Sequence, residues 1–426
     1  MAAADAGVRI TTSNACEYVR GLLPLDGAPL LPGDELVCEE VYGGNLNYAF
    51  RVSSASDATR SVFVKQAPDF IKCLGPGAQL SSARAALESA ALVVLNSLAP
   101  AYTPRHLHFD GARAAMVMED LREHVLLRDE LLAGRVFAAD ASALAQFMAR
   151  VHARTMRAGD AAGAVHSARF DNELLCAITS AYVFLKPYDP AEPSNRHSPA
   201  LDAQVARLRS IEGGGAAAAA AALETIFREK KQCLVHGDLH AGSVMVARAA
   251  EPHARAEPHA RAYAAGRLRV IDSEFATVGP ASFDLGLALA AYAFARFHHG
   301  AHARAHVVAA VDVAVRALWR EYAAQLRGLL AGAHESARAA ADGAPAVPRL
   351  LAEALLPQTL REAAGFMGAE LTRRVIGAAH VPDLDDIADE KARLEAERSA
   401  LACGVAALEG WRRVETIDDV LELMSH

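Results

Sequence analysis

A His-Gly-Asp turn set between two apolar runs constrains this chain more than any other feature. Leu234-Val235 leads into His236-Gly237-Asp238-Leu239-His240-Ala241-Gly242-Ser243, and Val244-Met245-Val246 follows at once. Short apolar runs bounded by turn residues read as buried strands. The turn between them leaves Asp238 projecting from a loop held at both ends. Further on comes Arg269-Val270-Ile271-Asp272-Ser273-Glu274-Phe275, a second short β-branched run closing on two acids that flank one residue. Any fold for this chain has to support one carboxylate on one loop and a pair of hard-oxygen groups on the next.

That arrangement matches the way phosphotransferases of the protein-kinase kind assemble a site. One carboxylate orients the acceptor hydroxyl, and others hold Mg²⁺ against the phosphates of ATP. Asp238 is therefore the candidate catalytic residue. Asp272 and Glu274 are expected to face the same way from the end of a strand and to bind Mg²⁺. Ser243 stands where kinases usually carry a metal-binding Asn. Serine is the poorer ligand, which leaves that task to Glu274. No P-loop signature occurs anywhere in the chain, which argues against a P-loop enzyme.

Upstream the periodicity is that of a sheet. Residues 35–41 alternate, Gly43-Gly44-Asn45 makes a turn, residues 48–52 form a second strand and 61–66 a third. Residues 81–98 read as an Ala/Leu-rich helix with Ser81 or Ser82 as N-cap. Strands near 106–109 and 115–118 complete a five-stranded antiparallel sheet with one helix over residues 30–120. Lys65 ends the third strand and Glu88 lies in the following helix. A strand lysine paired with a helical glutamate places ATP phosphates in kinase folds. Taken alone, a solvated lysine and a surface glutamate explain these two as well; the downstream acids favour the pair. Gly43, Gly44 and Asn45 let backbone N–H groups approach phosphate, although such a turn is most often only a hairpin. Glu119, after the fifth strand, completes the ATP-binding candidates.

After residue 120 the pattern turns helical, over 139–157, 171–185, 200–209 and 216–230, and again beyond the motif strands. The division expected is an N-terminal nucleotide-binding lobe, 1–120, and a helical C-terminal lobe, 121–426, carrying the catalytic and metal loops and the substrate site. Residues 251–262 are Glu-Pro-His-Ala-Arg-Ala written twice, and 331–347 are rich in Ala and Gly. Both read as flexible insertions in surface loops. The Ala tract after Gly213-Gly214-Gly215 prolongs a helix.

The formal net charge of −8 argues against a general nucleic-acid binder. Six scattered cysteines without a C-x-x-C pair, and a start without a secretory signal, point to a reduced, cytoplasmic protein. The most apolar stretch, 285–297, is too short to span a bilayer and contains Arg296, so it reads as a buried helix rather than a membrane segment.

Two clusters need weighing. Arg373-Arg374 is a basic pair in an otherwise apolar helix. A solvated face is the usual explanation, but two guanidiniums beside a phosphoryl-transfer site bind oxygens and spread transition-state charge. His298, His299, His302 and His306 include an i, i+4 pair. No Cys or acid accompanies them at ligand spacing, so an alanine-rich surface helix or loop is expected rather than a metal site.

These motifs together resemble the 5-methylthioribose kinase family, which has the aminoglycoside-phosphotransferase and choline-kinase variant of the protein-kinase fold. The resemblance rests on His236 to Ser243, on Ile271-Asp272-x-Glu274-Phe275, and on Gly279-Pro280-x-x-Phe283-Asp284-x-Gly286. Gly44-Asn45-Leu46-Asn47-Tyr48, Val64-Lys65-Gln66-Ala67, the segment Leu127 to Gly134, and Arg373-Arg374-Val375-Ile376-Gly377 also fit, so that most of residues 14–390 is covered. The family usually has Pro at Ser273 and Asp at Gly43, neither of which supplies the chemistry. The resemblance implies an α+β, bilobal protein-kinase-like fold and a homodimer. It implies transfer from ATP to the 1-hydroxyl of 5-methylthioribose, a step of methionine salvage. Lys65 would hold the ATP phosphates, Asp238 would meet the sugar hydroxyl, Asp272 and Glu274 would bind Mg²⁺, and Arg373 and Arg374 would line the sugar site. The alternatives are a kinase for another small alcohol, such as choline, homoserine or an aminoglycoside, and a non-catalytic kinase-like scaffold. Arg373 and Arg374 would repel a choline cation, and intact Lys65, Asp238, Asp272 and Glu274 argue against a scaffold.

Overall fold

The computed structural model describes residues 9–42, 46–73, 75–156, 170–210, 215–248, 267–340 and 347–425. The Gly43-Gly44-Asn45 turn and the repeat at 251–262 lie outside the described residues. Contacts divide the chain into two units, Met1–His124 with Arg269–Glu274, and Val125–Leu268 with Phe275–His426. The metal-motif segment thus groups with the first unit, held there by side-chain bonds described below.

The first unit is built on an antiparallel sheet of β1 (Leu36–Glu40), β2 (Tyr48–Ser54), β3 (Ser61–Gln66), β4 (His106–Asp110) and β5 (Ala115–Glu119), in the order β1-β2-β3-β5-β4. Lys65 lies on the central strand, opposite Ala49 of β2 and Met116 of β5. Strand alternation sets its direction. Val62 and Val64 turn to one face, where Phe50, Val52 and Val117 meet Ala15 and Val19 of the helix Ala15–Leu22. Phe63 packs on the other face with Leu92, Met116 and Met118, beneath the helix Arg84–Leu98. Lys65 shares the parity of Phe63 and so faces that helix, which carries Glu88. The helix starts later than the sequence suggests and has no side-chain cap. Ser81 accepts from Ala83 N at 3.3 Å, and Ser82 N donates to Asp69 at 2.9 Å, so both serines are used in the approach to the helix.

The second unit is mainly helical. Its axis is the helix Ala281–Ala301, buried along nearly its whole length and packed by the helices Ala138–Thr155, Ala305–Ala340, Val347–Ile376 and Glu390–Gly410. Phe184, Phe227, Phe283 and Phe366 form an aromatic cluster, with ring centroids 4.7 Å apart for Phe227–Phe283 and 5.2 Å for Phe283–Phe366. Gly286 permits the close approach of two of these helices, since a Cβ there would sit 2.6 Å from Phe366 Cβ and 2.8 Å from the Ala363 carbonyl oxygen. Arg296 ends the apolar run by pairing with Asp312 at 2.9 Å and the Met424 carbonyl at 2.6 Å. Among the described residues no helix is long and apolar enough to cross a membrane.

Two expectations are corrected here. Residues 331–340 continue a helix that runs from Ala305 to Ala340, and a second begins at Val347, so most of that Ala/Gly-rich segment is not a loop. Alanine is the strongest helix former, and its abundance prevails over the glycines. Two of the four histidines, His298 and His299, are not solvated either, whereas His306 is exposed. His299 is fully buried and hydrogen-bonds the Leu131 carbonyl at 2.8 Å, and His298 bonds the Asp383 carbonyl at 2.9 Å. They fasten the end of a core helix to its neighbours.

Candidate active site

In the first unit, Lys65 Nζ lies 2.7 Å from Glu88 and 2.6 Å from Asp272. Burial disfavours the charged ammonium, but Asp272, Glu88 and Glu274 more than offset it, so Lys65 stays charged. Burial pushes the Glu88 carboxyl up, and Lys65 opposes that. Asp272 keeps 48% of its side chain exposed. Its backbone has φ 61°, the left-handed region where Asp is one of the few tolerated side chains. Such strain in an ordered segment marks positions whose direction matters.

The two acids do not share a strand face as expected. The strand Leu268–Val270 stops before them, and Glu274 lies in a 3₁₀ turn, Ser273–Phe275. The positive φ at Asp272 turns the chain between the two acids, while both still act on the charge of Lys65. Glu274 is buried and accepts from Asn47 Nδ2 at 3.1 Å, with Arg84 Nε 3.6 Å from the same oxygen. Glu119 is engaged by arginines. It accepts from Arg105 N at 3.0 Å and lies 3.6 Å from Arg269. Gly43, Gly44 and Asn45 lie outside the described residues.

Among the described residues no group of three or more His, Cys, Asp or Glu is placed to hold a metal. Two carboxylates, one of them open, instead fit Mg²⁺, which keeps several waters and takes further ligands from substrate phosphates.

In the second unit, the strand Cys233–Val235 pairs with Thr277–Gly279 and delivers the His-Gly-Asp turn. Gly237 has φ +81°, and a Cβ there would lie 2.2 Å from the Phe275 carbonyl oxygen, so only glycine fits. Asp284 accepts from the backbone N–H of His236 at 2.7 Å and of Gly237 at 3.0 Å, and lies 3.3 Å from His152 Nε2. Thr155 Oγ1 accepts from Leu234 N at 2.9 Å. The loop is thus pinned by two core helices. Asp238 stands beside His240 at 3.5 Å, its side chain 29% exposed. Burial raises its carboxyl, but His240, Arg374 and Arg373 outweigh burial and hold it well below the usual carboxylate range. Ser243 is buried, and its N–H donates to the His240 carbonyl at 2.9 Å.

Arg373 and Arg374 are not a solvated face, with side chains only 11% and 12% exposed. Glu370 accepts from Arg373 Nε at 2.5 Å and from Arg374 Nε at 2.8 Å. Burial raises the Glu370 carboxyl, and the two guanidiniums override it and keep it ionised. One carboxylate thereby aligns two cations toward Asp238. Asp383 adds a buried acid near Arg128, Arg374 and His240. Its burial prevails over those cations and lifts it to about 6.

The positioning residues Asp284, His152, Glu370, Arg84 and Asn47 were not singled out for these tasks. Glu370 had a signal, lying three and four residues before the arginines on one helix. Asp284 belongs to a motif already noted, but its partners are backbone groups that no sequence spacing reveals.

A model of the phosphotransferase enzyme family matches residues 38–324. A methylthioribose kinase of Yersinia enterocolitica is 32% identical over 421 residues, covering 96% of this chain and 96% of the relative. One from Klebsiella pneumoniae is 32% identical over 417 residues, again covering 96% of each chain. Among solved structures, a choline kinase from Cryptosporidium parvum Iowa II aligns with a TM-score of 0.47 at 12% identity, over 95% of this chain and 100% of that one.

Proposed function

The chain belongs to the phosphotransferase enzyme family and, within it, to the methylthioribose kinases, and we infer that it transfers the γ-phosphoryl group of ATP to the 1-hydroxyl of 5-methylthioribose. The single observation that carries the reading is the Glu370-clamped arginine pair beside Asp238.

Lys65, aligned by Glu88, binds the phosphates of ATP. Asp272 and Glu274 are the residues that would hold Mg²⁺, which neutralises charge building on the β and γ oxygens. Asp238, held ionised by His240, Arg374 and Arg373, orients the anomeric hydroxyl toward the phosphoryl group, and positioning of this kind is most of what phosphoryl transfer asks of the protein. The sugar is uncharged, so it offers Arg373 and Arg374 no charge beyond that of Glu370 and Asp238 until the phosphoryl group arrives. Donors fixed in advance at developing charge are the ones that accelerate the chemical step. A choline-like cation is disfavoured beside two guanidiniums. A cytoplasmic setting, where thiols stay reduced and ATP is made, suits the reaction.

The test is turnover with ATP across an acceptor panel of methylthioribose, choline, homoserine and glucosamine. Methylthioribose is expected to exceed the others in kcat/KM. A larger kcat/KM for any other member would overturn the substrate assignment.

A further inference from the structure

The mechanism above leaves one buried cation unused. Arg84, at the start of its helix, is 4% exposed, yet its guanidinium faces polar groups throughout. Nη1 donates to the carbonyls of Pro68, Leu80 and Ser81 at 2.9, 3.1 and 2.9 Å. Nη2 donates to the Leu46 carbonyl at 3.1 Å and to Asn47 Oδ1 at 3.0 Å. Asn47 Nδ2 in turn donates to Glu274 Oε2 at 3.1 Å. Arg84 Nε is buried without a hydrogen-bond partner and lies 3.6 Å from that same oxygen.

This is more than a satisfied core arginine. Asn47 lies directly before β2, and Glu274 is the buried member of the acid pair. One planar cation therefore joins the start of that strand to a carboxylate assigned to the metal. Both of its links to Glu274, direct and through Asn47, fall on Oε2. The five donors of a guanidinium fit this task, and a lysine has neither the plane nor the number.

We propose that Arg84 and Asn47 are positioning residues that orient Glu274 for Mg²⁺. The proposal rests on the kinase reading and on Asp272 and Glu274 as its metal pair. Partners that fix a ligating carboxylate typically contribute 10–100-fold, roughly, to metal affinity or activity.

The experiment is calorimetry of ADP binding to the whole protein without sugar, in EDTA and across a Mg²⁺ titration, so that no turnover enters. For Asn47→Ala the half-saturating Mg²⁺ concentration is expected to rise by roughly 10–100-fold, while ADP affinity in EDTA changes much less. Arg84→Met is expected to do the same, and Arg84→Lys not to restore the parent value. If Arg84→Met does not fold, as judged by circular dichroism and melting, Asn47→Ala alone decides. In a Glu274→Gln background, Asn47→Ala is expected to add no further loss. An unchanged Mg²⁺ midpoint in Asn47→Ala, or an equal loss of ADP affinity with and without metal, overturns the proposal while the kinase reading stands. A parent whose ADP affinity ignores Mg²⁺ overturns the metal pair itself and the proposal with it.

Discussion

The buried carboxylate of Asp284 accepts the backbone N–H of Gly237 at 3.0 Å, one residue before Asp238. It also accepts from His236 N at 2.7 Å, so a side chain on a core helix sets the path of the loop. Asp284→Asn replaces one acceptor oxygen by a donor and removes the charge from both bonds. Charge-assisted bonds are the stronger kind, and a loss of about 3 kcal/mol is expected. Urea denaturation reads this. In the folded variant kcat should drop while KM for ATP stays near the parent value, because Lys65 is untouched. An unchanged kcat would mean that the loop holds its shape without Asp284.

Gly237→Ala tests the same loop from the other side. The left-handed backbone and the 2.2 Å approach to the Phe275 carbonyl leave a methyl group no room. The variant is expected to lose more than about 1 kcal/mol of stability and most of its turnover. A Gly286→Ala control strains a helix contact instead, so its stability loss should come with a smaller fall in kcat per folded molecule.

The five strands, the Lys65–Glu88 pair and the tight turn at Gly237 were legible in the sequence, because strand parity and turn chemistry are local. What was not legible depends on groups brought together by the fold. Asp272 and Glu274 look like neighbours on one strand face, but the strand ends at Val270 and the chain turns at Asp272, a break that depends on a left-handed backbone no residue pattern announces. The arginine pair gives no sign of burial until Glu370 is seen between its members. Likewise, the histidines read as solvated because their carbonyl partners, Leu131 and Asp383, are distant in sequence.

Asp383 supplies a prediction about pH. Its carboxyl is raised by burial from 3.8 to about 6. The folded protein therefore keeps a proton that the unfolded chain has already released, and stability falls as pH rises from about 4 to about 6. Asp383→Asn cannot titrate. It should match the parent near pH 3.5 and be more stable at pH 7, by up to about 3 kcal/mol. Denaturation of both proteins across that range reads the difference. A variant less stable than the parent at pH 7 would mean that the ionised carboxylate is stabilised by Arg128 and Arg374.

Arg374→Met removes a guanidinium that, on the proposed reading, gains a substrate charge only as phosphate is transferred. kcat for methylthioribose is expected to fall on the order of 10²–10³-fold, at least as much as KM rises, with ATP binding little affected. Arg373→Met should behave similarly, since Glu370 aligns both. Glu370→Gln should lower kcat by a smaller factor, because both cations remain and only their alignment is lost. Steady-state kinetics with calorimetry of ATP binding check all three. Parent-like turnover by both arginine variants would reduce the pair to a structural ion cluster.

The central claim is transfer to the anomeric oxygen, and phosphorus NMR of the product made from ATP and 5-methylthioribose tests it most directly. The account predicts one new phosphate resonance correlated with the anomeric proton, formed by the parent and lost in Asp238→Asn. A phosphate correlated with any other ring proton, or an Asp238→Asn protein that makes product at the parent's rate, would contradict it.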